Sequence, residues 1–520
     1  MALAATSLML AVRFLDAGKD VEAETLCRQV LEKDADHPGA LRLLAVIARR
    51  HDQIQTAVDL LRHATNRLPE DADLFADLGH ALKTAGRLDE AVASYQRAVD
   101  LAPTDAVIQS NLGVCLDAAG RGEEAIAAHR RAVTLAPDDA DSLCNLGAAL
   151  QRTGASAEAA ACFQRAVARD PDSARAATNL GVALQEMGRL EDAIVCHRRS
   201  IALTPDVAEA HYNLAIACLR RGDLEEGWRE FEWRLRMRTV PRRTFPCPRW
   251  AGESLQGRSI LLHAEQGLGD TIQFLRYAAL LARRGARVVV EAQSPLRRLL
   301  PSAHGVAEVC GPEALPPTDV FCPLLSLAGV FGTTLDTIPA EVPYLGAPPL
   351  LVERWRQRFA SWPGLRVGIV WAGNPNHPKD FVRSLPLEAL LPLGDVAGVR
   401  FFSLQLGAAA LSGGGLSGRL HVVDLAPSLG DFADTAAAIV ALDLVITVDT
   451  AVAHLAGALG RPVWVMLAHA SDWRWLTNRD DSPWYPTARL FRQSAPGDWS
   501  GVVQRIRTAL TAVVGGAVIP

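Results

Sequence analysis

The chain is predicted to be an α-helical solenoid followed by an α/β domain of two doubly wound halves. Three observations predict this. Asparagine stands at Asn111, Asn145, Asn179 and Asn213, at one constant interval. Glycine (Gly79, Gly113, Gly147, Gly181), alanine (Ala57, Ala91, Ala125, Ala159, Ala193) and proline (Pro69, Pro103, Pro137, Pro171, Pro205) keep the same period. From Ser259 onward, short apolar runs alternate with helical stretches, the pattern of a parallel sheet covered on both faces.

The interval, about 34 residues, is the length of one helix-turn-helix unit, which cannot bury its apolar face alone and must stack on copies of itself. Glycine comes early in each unit, alanine in the middle, an aromatic residue or histidine shortly after it, and proline near the end. That order resembles the tetratricopeptide repeat. Six units span residues 4–207, the first two degenerate, and a truncated seventh covers 208–238. In the seventh, Gly227 replaces the alanine, and Trp228, Phe231 and Trp233 add bulk that suits docking onto another surface. Met1 to Leu15 is apolar but lacks a basic start and keeps the repeat phase, since Ala11 and Ala23 lie one full period before Ala45 and Ala57. It reads as the first repeat helix and not as a signal peptide.

Composition narrows the function classes. A chain of 520 residues exceeds one core, and 49% hydrophobic against 21% charged residues excludes a disordered chain. The net charge of −5 gives no support for nucleic-acid binding. The nine cysteines form neither CxxC pairs nor zinc-site spacings. Six of them (Cys27, Cys115, Cys144, Cys162, Cys196, Cys218) fall in repeat helices, as buried free thiols of a reducing compartment would. No apolar run approaches ~18 residues without a charge, so no transmembrane segment is expected and the location expected is cytoplasmic.

The expected domains are a repeat superhelix (1–238), a basic proline-rich linker (239–254), a first α/β lobe (255–350) and a second (351–520). The stretch Arg234–Trp250 holds six arginines with Pro241, Pro246 and Pro248, and reads as an extended joint facing water; an interdomain strap is the alternative. Strands are expected at Ser259–His263, Arg287–Glu291, Val320–Phe321, Arg366–Trp371, Arg400–Leu404, His421–Leu425, Leu444–Val448 and Val463–Leu467. Helices are expected at Thr271–Arg284, Pro295–Leu300, Asp431–Leu442 and Thr450–Leu459. In such sheets ligands bind at the carboxyl ends of the strands.

Three motifs fall at such ends. The first is Glu265-Gln266-Gly267-Leu268-Gly269-Asp270-Thr271, after a strand and opening a helix. Gly267 and Gly269 let the backbone approach a ligand, and the helix start favours an anion. Glu291 ends the next strand, where a dinucleotide fold places its ribose-binding acid, but Ile272 stands where such a fingerprint has its third glycine. Asp270 is a candidate general base or a helix cap, with Glu265 and His377 the next candidate bases. The second motif runs from Trp371 to Ser384 and contains Asn374, His377, Pro378, Lys379 and Arg383. Its two cations can neutralise charge on a leaving phosphate. The third is an apolar strand ending in Asp449-Thr450-Ala451, with His454 one helical turn on. Its helix start offers N–H groups to a diphosphate. Asp449 is either a cap or a ligand contact, and His454 either core or ligand contact.

Taken in order, Gly-Leu-Gly-Asp-Thr-Ile, Gly-Asn-Pro with its following lysine and Arg-Ser, and Val-Asp-Thr-Ala-Val-Ala-His-Leu-Ala-Gly resemble the heptosyltransferase-type enzymes of glycosyltransferase family nine, over residues 255–515. The resemblance implies a GT-B fold of two Rossmann-like lobes, a nucleotide-sugar co-substrate held by the second lobe, inversion at the anomeric carbon, and no metal or other cofactor. It places the base at Asp270, the donor-binding pair at Asp449 and Thr450, and the phosphate-binding cation at Lys379 or Arg383. The absence of an Asp-x-Asp motif and of clustered carboxylates over residues 255–515 agrees with metal independence. Repeats fused to such a domain are similar in layout to bacterial protein glycosyltransferases, including those acting on flagellin, and to O-GlcNAc transferases. In the latter an asparagine ladder grips the acceptor backbone, which implies that role for Asn111, Asn145, Asn179 and Asn213; repeat consensus is the alternative. The expected partner is a protein acceptor such as flagellin or another secreted or surface protein. The rival functions are transfer to lipopolysaccharide or another glycan, and a scaffold whose transferase domain is inactive.

Overall fold

A computed structural model describes residues 2–377, 379–410 and 420–519. Fourteen repeat helices form seven antiparallel pairs. The first four pairs are α1 (Ala2–Asp16) with α2 (Asp20–Leu31), α3 (Pro38–Arg50) with α4 (Ile54–Arg67), α5 (Ala72–Thr84) with α6 (Leu88–Leu101), and α7 (Ala106–Ala118) with α8 (Gly122–Leu135). Then come α9 (Ala140–Arg152) with α10 (Ser156–Arg169), α11 (Ala174–Glu186) with α12 (Leu190–Leu203), and α13 (Ala208–Arg221) with α14 (Leu224–Phe231). The chain divides into two compact units. One runs to Met187 and includes Val195–Pro205; the other holds Gly188–Ile194 and everything from Asp206 onward.

The periodic residues of the first unit each have a physical task. A Cβ on Gly79, Gly113, Gly147 or Gly181 would lie 2.8, 2.5, 2.6 and 2.4 Å from the rings of Tyr95, His129, Phe163 and His197. The glycine of one helix therefore receives the ring of its partner, and the two positions repeat together. Asp71, Asp105, Asp139 and Ser173, which keep the same period, cap their helices by accepting from the N–H groups of Leu74, Ile108, Ser142 and Ala176. Gly86, Gly120 and Gly154 turn the chain between paired helices at φ of 74, 75 and 82°, a left-handed conformation that glycine adopts without strain. Asp52 holds the equivalent turn at φ 59°. The prolines sit in the turns between pairs, where the carbonyls of Pro69, Pro137 and Pro171 accept from Arg97, Arg165 and Arg199 at 3.2, 3.0 and 2.6 Å.

The second unit carries two parallel sheets. The first contains β1 (Ser259–His263), β2 (Arg287–Glu291), β3 (Val306–Cys310) and β4 (Val320–Pro323) in the order β3-β2-β1-β4. Between β1 and β2 lie α15 (Leu268–Phe274) and α16 (Tyr277–Arg283); α17 (Leu327–Val330) and α18 (Pro349–Phe359) follow β4. The second sheet begins with β5 (Leu365–Val370), α19 (Asp380–Arg383), β6 (Val399–Ser403) and β7 (Val422–Asp424). It continues with α20 (Phe432–Ala441), β8 (Leu444–Val448), α21 (Ala451–Ala458), β9 (Val463–Leu467), β10 (Ala488–Arg492) and α22 (Trp499–Val514). Its order, β10-β9-β8-β5-β6-β7, reverses between β5 and β8. That reversal opens a crevice at the carboxyl ends of these two strands, the ligand position of a doubly wound sheet.

Four expectations are corrected. The single helix expected over Thr271–Arg284 breaks at Leu275–Arg276. Arg276 turns inward there, donating to the carbonyls of Gln273 and Trp484 at 2.8 and 2.7 Å and to the Tyr344 hydroxyl at 3.2 Å. The helix expected over Pro295–Leu300 is two short 3-10 turns, Ser294–Leu296 and Leu300–Ser302. The basic linker is a solvated joint only in part: five of its six arginines are exposed, but the segment is also tied to the α/β domain. Arg234 is buried and pairs with Glu265 at 2.8 Å and Glu232 at 2.9 Å, Arg243 pairs with Glu291, and Arg249 pairs with Glu232. Pro248 and Trp250 exchange backbone hydrogen bonds with Phe321 at 3.0 and 2.8 Å, so the linker covers the free edge of β4. Finally, β3, β10, α18 and α22 were not expected: β3 is a half-exposed edge strand with no apolar run, and α18 carries a narrow apolar stripe among arginines.

The seventh pair docks onto the α/β domain, as its aromatic bulk predicts. Trp228 meets Phe274, Trp473 and Trp484 edge-on at 6.1, 5.2 and 6.4 Å and donates its indole N–H to the Thr333 carbonyl at 3.0 Å. Gly227 is required: its Cβ would lie 2.5 Å from Leu219, so only glycine lets α14 close on α13. All nine cysteines are free thiols, buried or half-buried. No described helix is long and apolar enough to cross a membrane.

Candidate functional site

A cleft of about 760 Å³ in the second unit collects residues from all three motifs. One wall is the glycine loop after β1, another the loop after β5, and a third the start of α21 after β8. Tyr212 and Ile216 of α13, with Phe231 of α14, add an apolar side that sequence reasoning did not anticipate. A second cavity of the same volume, near Trp228, Trp250 and Thr333, gathers none of the residues of the three motifs among its described lining.

Asp270 is the third residue of α15 and reaches back to accept from the Gly267 N–H at 2.7 Å. It thus closes the first helical turn, although Gly267 occupies the cap position. Its other oxygen pairs with Arg474, a residue the motifs did not include. Gly267 has an ordinary φ of −70°. Gly269 is needed for contact and not for conformation, because a Cβ there would lie 2.7 Å from the His454 ring. That close approach seats α15 on α21. Gln293 steadies the loop, donating to the Gln266 carbonyl at 3.0 Å and accepting from Thr271 at 3.0 Å.

Thr450, not Asp449, caps α21: its hydroxyl accepts from the Val452 N–H at 3.3 Å. Burial and the neighbouring Asp472 push the Asp449 carboxyl up to about 6, against the pull of Trp475, Arg474 and Arg383. Thr450 and Ala451 face the cleft. His454 is buried, stacks on Trp475 at 5.5 Å and meets the Tyr485 hydroxyl at 3.0 Å. Burial holds it neutral, so it is both core and cleft wall.

In the loop after β5, Asn374 accepts from the Asn376 N–H at 3.0 Å and lines the cleft. Arg383 lines it too, held by Asp380 at 3.0 Å and by the Asp449 carbonyl at 3.3 Å. Lys379 is exposed and is not among the described lining residues, and Pro378 lies outside the described residues. His377 lines the cleft, with its pKa lowered by burial and by Arg383. Of the other candidates, Glu265 is engaged by Arg234 and Glu291 by Arg243, and neither is among the described lining residues.

Three carboxylates face one arginine in the cleft. Asp270, Asp449 and Asp472 converge on Arg474, which donates Nη1 to Asp472 at 2.8 Å and Nε to Gln273 at 2.5 Å. The guanidinium is the common counter-charge of all three. The segment Asp472-Trp473-Arg474-Trp475 carried a signal, two tryptophans around an arginine in a chain with 6% aromatics, but no motif named it.

Asn111, Asn145 and Asn179 stand half-buried on α7, α9 and α11 of the first unit, and Asn213 on α13 of the second. Asn145 donates to Ser110 at 3.1 Å and accepts from Arg175 at 3.3 Å, so its amide already bridges three consecutive repeats.

Residues 76–140 and 144–196 match the family model described as Tetratricopeptide repeat, and 183–222 one described as TPR repeat. Residues 414–487, which hold the Asp449-Thr450 step and Arg474, match Glycosyltransferase family 9 (heptosyltransferase). The chain joins tetratricopeptide repeats to a glycosyltransferase family 9 domain. Protein FlbA of Caulobacter vibrioides is 27% identical over 317 residues, 55% of this chain and 52% of that protein. The chain therefore matches about half the length of that relative. Solved structures similar to part of the chain include MamA, at 24% identity and a TM-score of 0.29 over 31% of this chain and 93% of that one. YrrB, titled a TPR protein with an unusual peptide-binding site, is 20% identical with a TM-score of 0.31 over 35% and 95%. PilF of Pseudomonas aeruginosa is 18% identical with a TM-score of 0.37 over 40% and 95%. The segment matched to the glycosyltransferase family supplies the Thr450 and Arg474 side of the cleft, and the repeat family models reach the cleft through α13.

Proposed function

We propose that the protein is an inverting, metal-independent glycosyltransferase that moves a sugar from a nucleotide-sugar to a hydroxyl of a protein acceptor recruited by the repeats. The observation that supports it most is the convergence on one cleft of a carboxylate, Asp270, and an anion-seeking helix start, Thr450-Ala451, flanked by Arg383. The diphosphate of the donor sits against the α21 N–H groups and Arg383, where the helix dipole and the guanidinium favour negative charge. Asp270 takes the proton of the acceptor hydroxyl, whose oxygen bonds to the anomeric carbon as the bond to the phosphate oxygen breaks. Attack from the side opposite the leaving group inverts that carbon. The nucleoside diphosphate departs with its charge met by Arg383 and the helix start, with no divalent ion in the sequence of steps. The reaction is expected where the donor is made, in the cytoplasm.

Isothermal titration with nucleoside diphosphates in excess chelator tests the donor half. Wild type is expected to bind, and Thr450→Trp to lose binding by covering the helix start. Equal affinity in the mutant places the phosphate elsewhere, and a strict need for added metal overturns the metal-free reading.

The acceptor half is tested by replacing Asn111, Asn145, Asn179 and Asn213 together with Ala. The Michaelis constant for a protein acceptor is expected to rise, each lost hydrogen bond contributing roughly 0.5–1.5 kcal/mol, while donor hydrolysis is unchanged. Circular dichroism first establishes that the repeats remain folded, because Asn145 also ties repeats together. Normal acceptor kinetics in a folded mutant would reduce the asparagines to repeat consensus and leave a glycan as the acceptor to try.

A further inference from the structure

We propose that Arg474 is a positioning residue for Asp270, aiming its carboxylate into the cleft from the opposite sheet. The proposal rests on the reading of Asp270 as the base. Its own evidence is geometric. The guanidinium is buried and uses each of its nitrogens on a different acceptor: Nε on Gln273 at 2.5 Å, Nη1 on Asp472 at 2.8 Å, and Nη2 on Asp270. Asp270 and Gln273 lie one helical turn apart on α15, hence on one face of that helix. One planar fork therefore reads two adjacent positions of the helix and fixes its rotation relative to the second sheet. The second oxygen of Asp270 is held by the Gly267 N–H at 2.7 Å. Both oxygens are thus oriented, and each keeps a lone pair for a substrate proton. Trp473 lies beneath the guanidinium at 4.3 Å, and Asp472 fixes the turn by accepting from the Arg474 N–H at 3.0 Å.

The charge arrangement points the same way. Arg474 faces Asp270 on α15, Asp472 on its own turn and Asp449 before α21, and their attraction outweighs burial in keeping it charged. Other titratable groups around the cluster include Arg383 beside Asp449, Arg220 on α13 and His377 after β5, both facing Asp472, His454 on α21, held neutral, and Tyr212 on α13, whose hydroxyl burial keeps protonated. Without the guanidinium, three carboxylates would face one another with Arg383 beside Asp449 and Arg220 beside Asp472 as the remaining cations. Protons would then be retained to higher pH, leaving less of the carboxylate free to accept a proton at a given pH.

The test compares full-length Arg474→Met and Arg474→Lys with wild type and with Asp270→Asn, measuring turnover, Michaelis constants for both substrates, and the pH profile. Arg474→Met is expected to lower turnover on the order of 10-fold or more and to move the acid limb up by about one pH unit or more. Arg474→Lys keeps the charge and loses the fork, so the limb should stay in place while turnover falls. An acid limb unmoved in Arg474→Met, or wild-type turnover in Arg474→Lys, overturns the positioning role. Should the Met variant fail to fold, the Lys variant decides alone. An inactive Asp270→Asn beside a normal Arg474→Met sinks only this inference, whereas an active Asp270→Asn sinks the reading of the base on which it rests.

Discussion

Asp270→Asn is expected to lose on the order of 10²–10⁴ in turnover and to keep the donor affinity of wild type. The substitution is nearly isosteric, and the Asn oxygen can still accept from the Gly267 N–H that Asp270 holds at 2.7 Å, so the first turn of α15 remains closed. Arg474 keeps Asp472 at 2.8 Å and Gln273 at 2.5 Å as partners and is not left as an unpaired buried charge. What disappears is the group that accepts the proton of the acceptor hydroxyl. In the proposed reading the donor phosphates meet Thr450 and Arg383, outside the reach of this change, so nucleoside diphosphate titration serves as the control. Wild-type turnover in the mutant would reduce Asp270 to a helix-closing carboxylate and pass the role of base to His377, which lines the same cleft.

Asp449→Asn is expected to stabilise the second unit above pH 7, with the gain vanishing toward pH 4. Burial and Asp472 raise the Asp449 carboxyl from 3.8 to about 6 in the folded protein. The folded state therefore binds this proton more tightly than the unfolded chain does. Stability from this group is fully present below the unfolded value and is lost as pH rises through about 6. Denaturant unfolding followed by tryptophan fluorescence from pH 4 to 8 measures it. A stability difference between mutant and wild type that does not change with pH would show that Asp449 ionises as freely folded as unfolded. A natural residue that costs stability at neutral pH is the pattern of a site kept for binding and not for folding.

The legible part of this protein is its local grammar. The repeat period named the solenoid because each of its positions answers to a neighbour within the repeat: Gly113 to the His129 ring, Asp105 to the N–H groups at the start of its own helix. The three motifs were legible for the same reason. A strand running straight into a helix start, as at Leu444–Val448 and Ala451, is written in consecutive residues, and its consequence for anions follows from backbone chemistry. Local preference decided these features, and tertiary packing left them standing.

Packing decided the rest. Arg474 and Asp270 are 204 residues apart, and no spacing rule joins them; only the closing of α15 onto α21, permitted by Gly269 against His454, brings the two charges together. The arginines of Arg234–Trp250 read as solvated because charge runs favour water, yet Glu232, Glu265 and Glu291 offered partners, and the bare edge of β4 offered backbone hydrogen bonds. Between Lys379 and Arg383 the sequence had no means to choose, since both are cations on one loop. The α19 turn carries Arg383 to the Asp449 carbonyl and leaves Lys379 exposed, a difference that only the fold makes. Sequence specifies interactions among near neighbours, whose separation is set by covalent geometry. Which distant charges meet depends on how the helices pack, and that is a property of the folded chain alone.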